Sequence, residues 1–142
     1  MNFRFLKPLL WVFAFAIVFV ACDKDDSDPV PALPYEDVFG SWSWLSTTIH
    51  ETDEVIEADS VDYSQTLEVT SSGKYTWTRA DSVLFESDYT VKEDTTSTGE
   101  DLFVFQFTDT TMVDQSFYLK GKDTLYLDEE CENCESHIFV RK

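Results

Sequence analysis

The stretch TLEVTSSGKYTWTR, residues 66–79, alternates apolar and polar side chains on both sides of a Ser-Ser-Gly break. A period of two is the mark of a strand with one buried face. Leu67 and Val69 share a face before the break, and Tyr75 and Trp77 share a face after it. A two-residue loop would set Val69 against Thr76 and split the apolar face. A three-residue loop, Ser71-Ser72-Gly73, sets Val69 against Tyr75 and Leu67 against Trp77. Gly73 then supplies the left-handed residue that such a loop requires. The expectation is an antiparallel hairpin whose apolar side chains all face one core.

The same signal recurs outward from this hairpin. Strand formers dominate after residue 35, and no apolar period of 3.6 residues is sustained. Strands are expected near residues 41–49, 62–70, 75–80, 83–92, 101–108, 112–120, 123–129 and 136–141. Short polar breaks separate them, including ADS, TDT and KGKD. Eight sequential strands with short connections suit an all-β, up-and-down antiparallel barrel. About eight strands close around packed side chains or one small ligand.

Charge narrows the partners. The chain carries 28 acids against 10 bases, a formal charge of −18. Nucleic acid is not an expected partner, because phosphate binding needs clustered Lys and Arg. The acids are scattered, and no Ca-binding loop pattern is present.

The amino terminus has a different composition. Arg4 and Lys7 precede an apolar run from Pro8 to Val20, and the small residue Ala21 follows. That order is expected of a secretory signal, because the run is shorter than the ~20 residues that span a bilayer; the alternative is an uncleaved membrane anchor. Phe19-Val20-Ala21-Cys22 resembles the lipobox of bacterial lipoproteins, with Phe19 where Leu is usual. The resemblance implies cleavage before Cys22 and acylation of that residue. Two or more acyl chains anchor stably, at ~0.8 kcal/mol per buried methylene. No acid and two bases precede Cys22, so cleavage there leaves 28 acids against 8 bases, a charge of −20. Lys24, Asp25 and Asp26 resemble an export tag that some gram-negative bacteria place after the lipidated Cys. An alternative is a solvated acidic tether. The tag implies an outer-membrane, cell-surface address. Residues 1–21 thus read as signal, residues 22–37 as a tether with Pro29, Pro31 and Pro34, and residues 38–142 as one folded domain. At ~3.1 Å per residue the tether reaches about 45 Å.

Gly40-Ser41-Trp42 opens the first expected strand, and Leu67-x-Val69, Ser72-Gly73-Lys74-Tyr75-x-Trp77, Tyr89-x-Val91, Asp123-Thr124-Leu125-x-Leu127 and Phe139-Val140-Arg141 follow in order. This succession resembles the small lipocalin-like domains of bacterial lipoproteins. The resemblance implies a Trp42 that closes the barrel floor, an Arg141 stacked on it, and a small hydrophobic ligand. The alternative for Arg141 is an ordinary solvated base near the chain end. The C-terminal helix and long-range disulfides of full lipocalins have no counterpart after Arg141 or in the Cys spacing. Five aromatic positions remain open to two readings: Trp44, Tyr63, Trp77, Phe85 and Tyr89 either line a cavity or fill it, and filling accords with the close packing of protein interiors.

Only one local cluster suggests chemistry: Glu129-Glu130-Cys131-Glu132-Asn133-Cys134-Glu135-Ser136-His137. Outside the cytoplasm a Cys pair usually oxidises, and a β-turn brings positions i and i+3 within disulfide reach. Asn133 tolerates left-handed geometry. Cys131 and Cys134 are therefore expected to form a structural disulfide. The alternatives are zinc on Cys131, Cys134, His137 and a carboxylate, or a redox pair, which the surrounding acids disfavour. No metal or cofactor is expected. Directly opposing the two cysteines would turn Arg141 away from the face of Leu125 and Leu127. The floor contact then needs a longer turn or an Arg141 beyond the strand end. If Trp42 pairs with Arg141, His137 faces Ser46, and His50 lies about 13 Å further along the strand. No catalytic motif occurs. The expected function is a membrane-anchored lipoprotein whose barrel binds a small hydrophobic ligand. The alternative is a filled barrel acting as an interaction module.

Overall fold

The structure, a computed structural model, describes residues 33–96, 99 and 101–142. Cys22, Lys24, Asp25 and Asp26, with the signal segment and most of the tether, lie outside the described residues. A turn of 3₁₀ helix, Glu36–Val38, leads into β1 (Gly40–Ile49) and then β2 (Glu54–Glu57). A second 3₁₀ turn, Ala58–Ser60, precedes β3 (Gln65–Val69), β4 (Lys74–Arg79) and β5 (Ser82–Thr95). The chain continues through β6 (Asp101–Phe107), β7 (Gln115–Lys120), β8 (Thr124–Glu129) and β9 (Glu135–Arg141).

All pairings are antiparallel, and β1 closes the sheet by pairing with β9. Eight strands make the closed barrel, an arrangement consistent with a lipocalin-like fold. The ninth, β2, was not expected. It pairs with the upper half of β1, from Ser46 to Ile49, while β3 takes the lower half, from Gly40 to Ser43. Its two apolar residues, Val55 and Ile56, sit among acids, which leaves no alternation to read. The strand expected from residue 62 begins only at Gln65.

The β3–β4 hairpin has the register set by parity. Val69 faces Tyr75 and Leu67 faces Trp77. The Thr70 N–H donates to Lys74 O at 2.9 Å, so the loop is Ser71-Ser72-Gly73, and Gly73 takes φ +86°. Leu67, Val69, Tyr75 and Trp77 are all buried.

One end of the barrel is closed by a compact floor. The Arg141 guanidinium lies 4.1 Å above the Trp42 ring, and Trp42 Nε1 donates to Val38 O at 2.8 Å. Arg141 also donates to the carbonyls of Lys122 (2.7 Å), Phe39 (3.2 Å) and Asp37. One planar fork thus ties the last strand to the β7–β8 turn and to the entry of β1. Gly40 sits beneath it at φ +135°, where an added Cβ would lie 3.0 Å from Arg141 Nη1. The glycine of Gly-x-Trp is therefore required twice, by backbone conformation and by the approach of the arginine.

Above the floor the interior is filled with rings. Phe105 stacks on Phe117 at 4.1 Å, and Tyr89 and Tyr75 meet Phe105 and Phe107 edge-on at 4.9 and 4.8 Å. The buried hydroxyls find partners: Tyr75 donates to Gln115 Oε1 at 2.8 Å and Tyr89 to Thr70 O at 2.7 Å.

Two predictions follow from this packing and its floor. Arg141→Ala should cost about 2–3 kcal/mol, the sum of a cation–π contact and charge-assisted hydrogen bonds, while Arg141→Lys should recover only part. Gly40→Ala should also lower the melting temperature, and it should lose most of that effect when combined with Arg141→Ala only if the side-chain clash outweighs backbone strain. Thermal melts of the full chain measure all of these. The second concerns pH. Burial pushes the Tyr75 hydroxyl well above its ordinary value, and burial, with Tyr35 nearby, pushes Tyr89 up to about 12. Both bind their protons more tightly folded than unfolded. Their contribution is therefore intact below pH ~10 and is lost progressively above it. Tyrosinate absorbance followed against circular dichroism should show Tyr75 and Tyr89 titrating last, together with loss of the fold.

Candidate functional site

The mouth, opposite the floor, is framed by the β1–β2, β4–β5, β6–β7 and β8–β9 connections. Here the aromatic filling gives way to polar side chains. A cleft of about 240 Å³ is lined by Trp77, Leu84 and Phe85 on one side and by Thr47, Gln65, Arg79, Glu129, Glu135 and His137 on the others. Larger hollows, about 320 and 420 Å³, lie beside Leu45 and Glu57 and beneath the floor at Arg141.

The five aromatic candidates separate. Trp44, Trp77 and Tyr89 are buried and help to fill the barrel. Tyr63 is half-buried, stacked on Trp44 at 6.1 Å with Arg79 over its ring at 4.7 Å. Phe85 is not a core residue: it is 46% exposed on the cleft wall and meets Trp77 edge-on at 5.9 Å. The cause is a register shift between Trp77 and Thr78, which leaves Leu84 outside the β4–β5 pairing and brings Leu84 and Phe85 to the same cleft.

His137 forms the inner end of the cleft. It is 3% exposed, and its ring meets Trp77 edge-on at 4.7 Å. Its Nδ1 lies 2.9 Å from Thr47 Oγ1, which accepts from Trp44 Nε1 at 2.9 Å. Trp77 Nε1 in turn donates to Gln65 Oε1 at 2.8 Å. On the opposite edge of the imidazole, Nε2 faces Glu129 Oε1 at 3.8 Å and Glu135 Oε2 at 3.9 Å, both beyond hydrogen-bond length. It is the one buried side-chain nitrogen or oxygen without a hydrogen-bond partner among the described residues. Glu129 Oε2 accepts from the Glu135 N–H at 3.3 Å. The adjacent His137 ring, followed by that N–H, holds the Glu129 carboxyl below its ordinary range despite its partial burial.

His137 pairs with Thr47, not with Ser46, because β1 carries an extra residue at Leu45. His50 Nε2 lies 2.5 Å from Ser136 Oγ, the neighbour of His137 in sequence. That contact is exposed, whereas His137 is buried inside the barrel, so the rings occupy opposite faces.

Cys131 and Cys134 are joined, with Cα atoms 5.5 Å apart, and Asn133 takes φ +60°. The turn is longer than the direct opposition of the two cysteines would make it. Leu125 faces Phe139 and Leu127 faces His137, which keeps Arg141 on the inward face. Glu129 also brings a carboxylate within 4.8 Å of both sulfurs.

Comparison with protein-family models, with curated proteins and with solved structures returned no match to this chain. The geometry of the mouth therefore carries the functional reading. It has an aromatic wall, a buried imidazole edge and two carboxylates.

The disulfide closes a very small loop, so its loss should cost no more than about 2 kcal/mol on the chain-entropy view. Intact mass of the native chain should be lower by a pair of hydrogens than after reduction, and reduction should leave the barrel's circular dichroism unchanged.

Proposed function

We propose that this protein is a lipid-anchored, surface-exposed envelope lipoprotein whose barrel binds a small ligand at its mouth. The anchor rests on Phe19-Val20-Ala21-Cys22, and the surface address on Lys24, Asp25 and Asp26. The binding reading rests on one observation. Leu84 and Phe85 stand half-exposed across a cleft from Gln65, Arg79 and His137, which combines an apolar wall with few, convergent polar groups. Because Phe105, Phe117 and their neighbours fill the depth of the barrel, a ligand fits the mouth only. A short aromatic or apolar body with one polar group matches the cleft; a long acyl chain does not.

A second reading has its own support. β5 pairs with β6 only from Tyr89 onward, so Ser82–Glu86 is paired on the β4 side, and Val83 on it is 57% exposed. Such an edge favours strand addition by a protein partner.

Native mass spectrometry of the protein taken from membranes separates these readings. A retained small molecule, lost in Phe85→Ala, is the expected result; a clean chain mass with a co-purifying protein favours the second. For the anchor, Cys22→Ser should abolish incorporation of labelled fatty acid and move the protein to the soluble fraction.

A further inference from the structure

The imidazole edge at the inner end of the cleft is a conflict that the rest of the barrel does not share. Thr47 Oγ1 already accepts the Trp44 indole proton, since that nitrogen only donates. Its other contact is with His137 Nδ1, to which it can either donate or accept. If Nδ1 carries the ring proton and donates to Thr47, Nε2 presents a bare lone pair to two carboxylates. If Thr47 donates instead, an Nε2 proton points at oxygens too distant to accept it. In both tautomers a buried polar atom is left unsatisfied, which costs on the scale of a lost hydrogen bond.

A cation between the three groups resolves this. We infer that His137 Nε2, Glu129 and Glu135 form a binding site for a divalent metal ion of the zinc class at the barrel mouth. The ligand types fit: imidazole nitrogen and carboxylate oxygen bind zinc at ~2.0–2.2 Å, so neighbouring ligands of a tetrahedral ion lie about 3.4 Å apart. The observed separations from Nε2, 3.8 and 3.9 Å, are close to that, while the two carboxylates do not converge to within 4.8 Å of each other and have to swing together to complete the site. Both glutamate side chains are partly exposed, at 24% and 45%, so they have room to do so. The Nδ1 contact to Thr47 supplies the outer hydrogen bond that fixes a metal-binding histidine's tautomer and orientation.

Charge favours the same conclusion. Among the described residues no Lys or Arg forms an ion pair with either carboxylate. Arg79 lines the same cleft, but its guanidinium is stacked on Tyr63. The β8–β9 connection adds Glu130 and Glu132 to the local negative field. Three protein ligands leave the fourth position facing the cleft, open to water or to a donor atom of a bound molecule. The site uses residues of the proposed ligand cleft, yet it does not require an organic ligand and is tested without one.

The test is calorimetric titration of the detergent-solubilised full chain with Zn²⁺, with no reductant present. One ion per chain is expected, bound far more tightly than Mg²⁺, which prefers an all-oxygen shell. Glu129→Gln and Glu135→Gln should each weaken binding by at least about tenfold, the lower end of what even an outer-shell change does at metal sites. Both positions are partly exposed, so these variants should fold even if His137→Gln does not. Cys131→Ser with Cys134→Ser should leave the affinity unchanged. The inference is overturned if the native chain fails to bind Zn²⁺, or if both glutamine variants bind as tightly as the native chain. Loss of binding in the double serine variant also overturns it, because the ligands would then be thiolates.

Discussion

A closed sheet must pair its first strand with its last, and here the first strand also has to hold two others. β1 gives one whole edge to β9 and divides the other between β3 below and β2 above. The extra residue at Leu45 makes this possible. It adds local twist, re-aims the upper half of the strand, and puts Leu45 itself outside the ladder with β9. Below it, Trp42 and Trp44 face the core; above it, Thr47 takes the inward position. Without that shift Ser46 would oppose His137, and the contact from Trp44 through Thr47 to the imidazole would not exist.

The two ends of the barrel then acquire different characters. At the floor, one cation serves three carbonyls and a ring, so each of the three guanidinium nitrogens has a partner. In the middle, aromatic rings pack at close range and their hydroxyls and indoles are satisfied. At the mouth, the inward-facing rows end in Gln65, Gln115, Glu129 and Glu135. The core is thus sealed at one end and faces solvent through polar side chains at the other. A barrel packed in this way can present a binding surface at its mouth without storing a ligand in its depth.

Much of this was legible as parity. The Ser71-Ser72-Gly73 loop follows from keeping Leu67, Val69, Tyr75 and Trp77 together, and the pairing of Trp42 with Arg141 is the geometry that Gly-x-Trp and a late arginine implied. Parity also held information about the mouth that went unread. Gln65 is in phase with Leu67, Glu129 with Leu127, and Glu135 with His137 and Phe139, so each is an inward residue by the alternation of its own strand. Thr47 and Leu84 were not legible, because Thr47 lies past one register shift and Leu84 sits at another, whereas Phe85 keeps the phase of Tyr89. Nor was β2, whose pairing depends on β1 and not on its own weak pattern.

The turns carry the same division between the ends. Gly40, Gly73, Gly99 and Gly121 take positive φ on the floor side, where glycine adopts it without penalty. The positive-φ residues that are not glycine, Asp53, Ala80, Asp81 and Asn133, all lie in connections at the mouth. Ala80 has no side-chain polar group with which to offset the left-handed conformation, which costs roughly 1–2 kcal/mol for such a residue. Local strain of this kind persists only where the surrounding structure holds it, and it gathers at functional sites. The strained turns surround the same opening as the unsatisfied imidazole and the exposed Phe85. Two unrelated kinds of local cost, one in the backbone and one in an unpaired nitrogen, thus meet at the mouth. The floor and the middle, which carry neither, act as the scaffold that sustains them.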